Sequence, residues 1–238
     1  MQSKNTDSNA NVEGHELKLS QQATKTKLPS VTKILDKTKP WYQRLLLKKW
    51  EKKMISEMGE EGFKRYKQEM LSQGKMHHKS IEAVLHGIPE KEITVTPETA
   101  GYWKSMKHVL GDIEQVECME RRIVHPALDY LGIVDCVAKY KDQLCVIEWK
   151  TSRKPKSTLK QCYEYPLQVV AYAGALNYDP TFDHQINQAL IVVAYKDGKQ
   201  AHIHRMSTKD CENYWSQWLT RILQYREIIQ KEEAKSKK

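Results

Sequence analysis

Nowhere in the 238 residues does an apolar run approach the roughly 18 residues needed to span a bilayer, so no membrane association is expected. CxxC pairs are also missing. The five cysteines (118, 136, 145, 162 and 211) are odd in number and scattered, which suggests neither a disulfide framework nor a clustered zinc or iron–sulfur site. They read as reduced, with Cys136 and Cys145 as small buried hydrophobes. Residues 1–27 contain no aromatic residue and few aliphatic ones, the composition of a disordered tail. They also lack arginine and include Asp and Glu, unlike an Arg-rich, acid-poor presequence. No leucine-zipper heptad is evident, and a monomer is the default expectation. Acidic residues are in deficit, 30 against 39 Lys and Arg, and the formal net charge of +9 attracts polyanions. Nucleic acid leads that class, although a basic enzyme of another kind has the same balance.

The length allows one substantial core, expected over 28–230, with 28–110 mainly helical and 111–230 holding most of that core. A charged tail is expected at 231–238. LPSVTKIL opens the helical part, Pro40 starts a second helix, and further helical patterns cover about 60–86 and 98–110. After Gly132 the period becomes two: IVDCVAKY, a turn, then LCVIEWK. A helix follows over about 164–177 with Pro166 in its first turn, then a second hairpin, ALIVVAY and AHIHR. The last helix covers CENYWSQWLTRILQYREII, with Trp215, Trp218, Leu219, Ile222 and Tyr225 as its inward stripe.

The first hairpin places charge where a core strand rejects it. Asp135 shares a face with Val137, and Glu148 and Lys150 share one with Val146. A buried carboxylate is costly unless paired or bound to a cation, so Asp135 facing Glu148 across the hairpin makes a candidate oxygen-ligand site for Mg²⁺ or Mn²⁺ with an adjacent ammonium. The same residues also suit a surface hairpin with an ordinary Glu148–Lys150 pair. Beyond Lys150, TSRKPKSTLK supplies Arg153, Lys154, Lys156 and Lys160, which read as phosphate contacts or as a solvated loop. Gln168 and Tyr172 are four apart and share a helix face, suited to orienting water or phosphate and to contacting DNA, or to a structural pair. Trp41, Tyr42, Trp50, Phe63, Tyr66, Tyr102 and Trp103 lie among lysines and suit either base stacking or a core.

GIVD, VIEWK and QVVAY together resemble the D…(D/E)xK…QxxxY arrangement of RecB-like nucleases in the PD-(D/E)xK superfamily. The resemblance covers roughly residues 28–230 and extends to LPSVTKIL, GYWKSMKHVL, LCVIEWKTSRKPK and LIVVAYKDGKQAHIH. It implies an α/β restriction-endonuclease-like core, a central mixed sheet flanked by helices, with an N-terminal helical extension. It also implies metal ligation by Asp135, Glu148 and the Trp149 carbonyl, and catalysis assisted by Lys150 and Gln168. Gly74 and His78 match a GxxxH element in which His78 binds or orients metal, with His77 as the neighbouring ambiguity. Glu120, expected just before the first strand, would support metal or water, with Glu117 as its register competitor. Two departures stand out: Val134 replaces the nominal Pro, and Glu148 stands where close members commonly use Asp. The activity implied is single-stranded DNA exonucleolysis at free ends or flaps, in mitochondrial DNA replication and maintenance alongside the replication machinery. A structure-selective endonuclease and a non-catalytic nucleic-acid-binding protein are the alternatives.

Overall fold

The structure is a computed structural model that describes residues 28–236, so the expected tail at 1–27 lies outside the described residues. Helix α1 (Val31–Lys37) starts at Ser30, whose hydroxyl accepts from the Lys33 N–H at 3.1 Å. Helix α2 (Trp41–Leu85) follows Pro40 and includes both expected helical patterns, because the chain breaks only at Gly59, where φ is +73°. Glycine takes that left-handed conformation without the penalty a Cβ would add. Helix α3 (Pro97–Leu110) opens with proline in its first turn.

Five strands then form one sheet in chain order: β1 (Ile113–His125), β2 (Tyr130–Tyr140), β3 (Gln143–Ser152), β4 (Ala189–Tyr195) and β5 (His202–Met206). Only β3 and β4 pair in parallel, and the connection between them carries helix α4 (Tyr165–Tyr178). Helix α5 (Thr208–Ser236) closes the fold. The result is a mixed sheet flanked by helices, with α1 to α3 as an N-terminal helical extension.

Two expectations need correction. The first strand is β1, so Glu120 lies within a strand and not before one. Its alternation is hidden by left-handed residues at Gln115 (φ +43°) and Glu120 (φ +45°) and by a register shift between Glu114 and Cys118. The segment 231–236, expected as a tail, continues α5 as an exposed helical end.

Period two divides the sheet's side chains between two cores. Val137, Val146, Ile191 and Val193 face α4 and α5, joined there by Trp218, Ile222 and Tyr225. Cys136, Ala138, Ile147, Trp149 and Val192 face the other way, against Ile81 of α2 and Tyr102 and Met106 of α3. Tyr102, Trp103 and Phe63 are buried, which removes them from the aromatics available to a ligand, whereas Trp41 and Tyr42 are exposed.

Arg221 joins three helices. Its guanidinium donates to Thr38 Oγ1 at 2.6 Å, the Leu35 carbonyl at 2.8 Å and the Glu164 carboxylate just ahead of α4. Removing one partner of a largely buried ion pair leaves the other charge uncompensated. Arg221→Ala is therefore expected to destabilise the fold by about 3–5 kcal/mol in urea unfolding. A loss under about 1 kcal/mol would instead place this pair among weak surface contacts.

Candidate metal centre and nucleic-acid interface

The site lies where two strands part. Pairing of β2 with β3 runs from Tyr140 opposite Gln143 to Cys136 opposite Ile147 and stops, while β3 stays paired with β4 as far as Ser152. The next backbone groups of β3 on the vacated side are taken by side chains. The Trp149 N–H donates to Asp135 Oδ2 at 2.9 Å, and the Trp149 carbonyl lies 2.9 Å from His78 Nε2. A carbonyl only accepts, so Nε2 carries a proton and Nδ1 faces the acids. That nitrogen is 3.7 Å from Asp135 Oδ1 and 4.0 Å from Glu120 Oε1.

Donor atoms of His78, Glu120 and Asp135 lie within 4.8 Å of one another. The left-handed backbone of Glu120, a strain on the order of 1–3 kcal/mol for a non-glycine residue, coincides with this convergence. The competing residues lie elsewhere. Glu117 is 3.3 Å from His184, and His77 is buried against Tyr102, where burial and then the charge of His78 depress its pKa to about 3.

Glu148 is 1% exposed and stands beside this trio on the face that packs against α4. Its Oε1 accepts from the Lys150 ammonium and from Gln168 Nε2, the latter at 2.6 Å. Its Oε2 is buried without a hydrogen-bond partner. Burial pushes the Glu148 carboxyl up to about 7 despite the opposing charge of Lys150. Asp135 is likewise raised by burial, against the pull of His78 and Lys150. Burial alone would lower the pKa of Lys150 and of His78. Glu148 and Asp135 reverse this for Lys150, and Glu120 with Asp135 reverse it for His78, so both are raised. Burial thus disfavours the charged forms of Asp135 and Glu148, a penalty that a bound cation would offset.

The donor set suits a divalent ion: carboxylates of Asp135 and Glu120, Nδ1 of His78, and the partnerless oxygen of Glu148. The Trp149 carbonyl already accepts from His78 and has one remaining lone pair for such a role.

Tyr172 does not reach the surface, contrary to its expected DNA contact. It is 4% exposed, its hydroxyl accepts from Gln168 Nε2 at 2.9 Å, and its ring covers Gly132. Gln168 is likewise buried and braces Glu148. Two contributors escaped the sequence reading. Tyr165 places its ring 5.0 Å from Lys150 Nζ, and Gly132 admits Tyr172 where a Cβ would approach that ring to 2.5 Å. Glycine within a strand pattern was the available signal for the second.

The basic segment after β3 is anchored at several points. Arg153 stacks over Tyr66 of α2 at 4.7 Å. The Lys156 N–H donates to the Tyr195 hydroxyl at 2.9 Å, and its carbonyl is 2.8 Å from His204 Nε2. Lys154 and Lys160 are exposed.

A family model described as the PD-(D/E)XK nuclease superfamily matches residues 39–237. The chain belongs to that superfamily. Three curated relatives carry the name mitochondrial genome maintenance exonuclease 1. The Mus musculus protein is 45% identical over 202 residues, covering 84% of this chain and 59% of the relative. For Xenopus tropicalis the values are 44% over 210 residues, 88% and 60%, and for Homo sapiens 43% over 203 residues, 84% and 58%. The chain therefore spans about three-fifths of the length of these relatives. In the sequence, Asp135 follows Val134, and Glu148 stands two residues before Lys150.

Two outcomes follow. A carboxyl raised to about 7 keeps a proton that the unfolded chain gives up near pH 4.3, so Glu148 makes the metal-free fold lose stability as pH rises between those values. In EDTA, the melting temperature of the wild type should fall relative to Glu148→Gln from pH 5 to 8, and a divalent cation should reverse the loss; parallel curves would reject this. Gly132→Ala should displace Tyr172, destabilise by about 1–3 kcal/mol and loosen Glu148, measured as weaker divalent-ion protection against melting. Undiminished ion protection would show that Tyr172 does not support the site.

Proposed function

We propose that this chain is a divalent-metal-dependent exonuclease that hydrolyses phosphodiesters of single-stranded DNA at free ends or flaps. The observation that carries the reading is the buried Glu148, one oxygen clamped by Lys150 and Gln168 and the other without a partner, beside the His78–Glu120–Asp135 trio. Asp135, Glu148, His78 and the Trp149 carbonyl hold Mg²⁺ or Mn²⁺ in this reading, and Glu120 holds the ion or a water. What the ion supplies when bound is Lewis-acid polarisation of the phosphodiester and a more acidic water.

The remaining work belongs to the protein. Lys150, a charged donor on the rim of the buried acids, orients water and offsets phosphoryl charge. Gln168 holds Glu148 in place through its amide, and Tyr172 fixes that amide. Arg153, Lys154, Lys156 and Lys160 supply phosphate contacts, whose affinity depends on salt and not on sequence.

Single-strand and end preference are supported by the course of α2. Its Trp50 lines a cavity with Tyr163 and Tyr165, Tyr66 lies under Arg153, and His78 meets Trp149. In this reading a strand passes beneath α2 and threads from an end, which excludes duplex. The names of the relatives support placing this activity in mitochondrial genome maintenance.

Purified protein incubated with Mg²⁺ or Mn²⁺ should degrade linear single-stranded DNA and leave circular single strands and duplex intact. EDTA should abolish the reaction, and Lys150→Ala should lower the rate roughly 10²–10³-fold. Cleavage of the circle would favour a structure-selective endonuclease with an open cleft. Binding without cleavage under any metal condition would favour a non-catalytic nucleic-acid-binding protein.

A further inference from the structure

A cavity of about 470 Å³ lies between the first turns of α2 and the start of α4, lined by Trp50, Tyr163, Tyr165, Leu46, Lys39 and Glu164 among others. Tyr165 joins it to the candidate centre, since Lys150 Nζ lies 5.0 Å from the centroid of that ring. The other two aromatic walls are held in place independently. Trp50 makes an edge contact with Phe63 at 5.5 Å, across the Gly59 break. Tyr163 is 57% exposed, with a backbone at φ +52° and ψ −103°. That conformation is rare for any residue bearing a Cβ and costs on the order of 1–3 kcal/mol. The strain places a large aromatic ring at the cavity rim, where Lys156 Nζ covers it at 4.7 Å.

We propose that this cavity is a base-binding subsite, in which Trp50, Tyr163 and Tyr165 stack a nucleobase next to the phosphodiester held at Lys150. The inference rests on the nuclease reading and deepens it. Charge selects the occupant. Lys156 covers an aromatic face and Lys39 lines the same cavity, the combination of cation and ring that receives single-stranded nucleic acid by stacking together with phosphate attraction. Glu164, the acid in the wall, is neutralised by Arg221 and does not repel a phosphate at full charge. Lys39 is shared with the exposed Asp36 at 2.9 Å, a surface pair that a phosphate can displace at little cost. Leu46, 55% exposed, offers further apolar contact to a base. Stacking reads no base identity, so the subsite is sequence-tolerant.

The test uses the full chain in EDTA, which keeps the strand uncut, and a set of fluorescent single-stranded oligonucleotides with one abasic residue moved stepwise from the end. One abasic position, or two adjacent ones, should weaken binding roughly 5- to 100-fold. Tyr163→Gly removes the ring while suiting the left-handed backbone, which keeps folding intact, and it should flatten that positional profile. Tyr163→Phe should retain it. A flat profile in the wild-type protein, or a dip that persists in Tyr163→Gly, overturns the subsite, and the groove then belongs to a protein partner or a second copy. Failure of the nuclease reading is separate: linear DNA would remain uncut with every metal. Tight binding and cleavage with a flat abasic profile reject the subsite alone.

Discussion

A carboxylate almost fully withdrawn from water beside a lysine is the constraint around which the rest is arranged. Taking each charge out of water costs several kcal/mol even after relaxation, and mutual attraction compensates only when hydrogen bonds satisfy the remaining lone pairs. For Glu148 that satisfaction is incomplete, because Lys150 and Gln168 share one oxygen and the other has no partner. The surrounding sheet must therefore stabilise a local deficit. It does so with Val146, Ile147 and Trp149, all buried next to Glu148 in sequence, and with the fully buried β4 alongside. A group of acids assembled against its own repulsion is an inexpensive place for a divalent ion to bind, since binding removes a cost the fold already bears.

The parting of β2 and β3 solves the geometric half of the problem. A continuous ladder would consume the Trp149 N–H and carbonyl; an open one would leave them unpaired at a cost of about 1–3 kcal/mol each. Asp135 and His78 take both groups, so the residues that face the candidate ion also satisfy the backbone that the divergence exposes. The Trp149 carbonyl, accepting from Nε2, in turn directs His78 Nδ1 toward Asp135 and Glu120. Structure and chemistry here are served by the same hydrogen bonds.

Much of this was legible because strands obey a strict period. Charges at 135, 148 and 150 on a two-residue repeat specify which side of the sheet they occupy, and the buried neighbours Val137 and Val146 name that side. Helical spacing likewise placed Gln168 and Tyr172 on one face. Spacing could not say whether that face looked at solvent or at the sheet, and Tyr172 proved to be buried over Gly132. Glu120 was harder still. Its strand mixes exposed, half-buried and buried residues without strict alternation and contains left-handed positions, so the period that identifies a strand is broken where the acid is aimed. The choices between His77 and His78, and between Glu117 and Glu120, needed contacts between segments distant in sequence.

Backbone strain adds an independent argument about where function lies. Among the described residues, non-glycine positive φ occurs at six positions: Asp129, Lys141 and Asp142 belong to the short connections flanking β2, where such conformations are ordinary, and Gln115 lies in the register shift of β1. Glu120 and Tyr163 have no such excuse. One aims a carboxylate into the acidic trio; the other holds an exposed aromatic ring at the rim of the cavity beside Tyr165. The partnerless oxygen of Glu148 and these two strained residues place local instability where a ligand can relieve it, while Arg221 ties α1, α4 and α5 together.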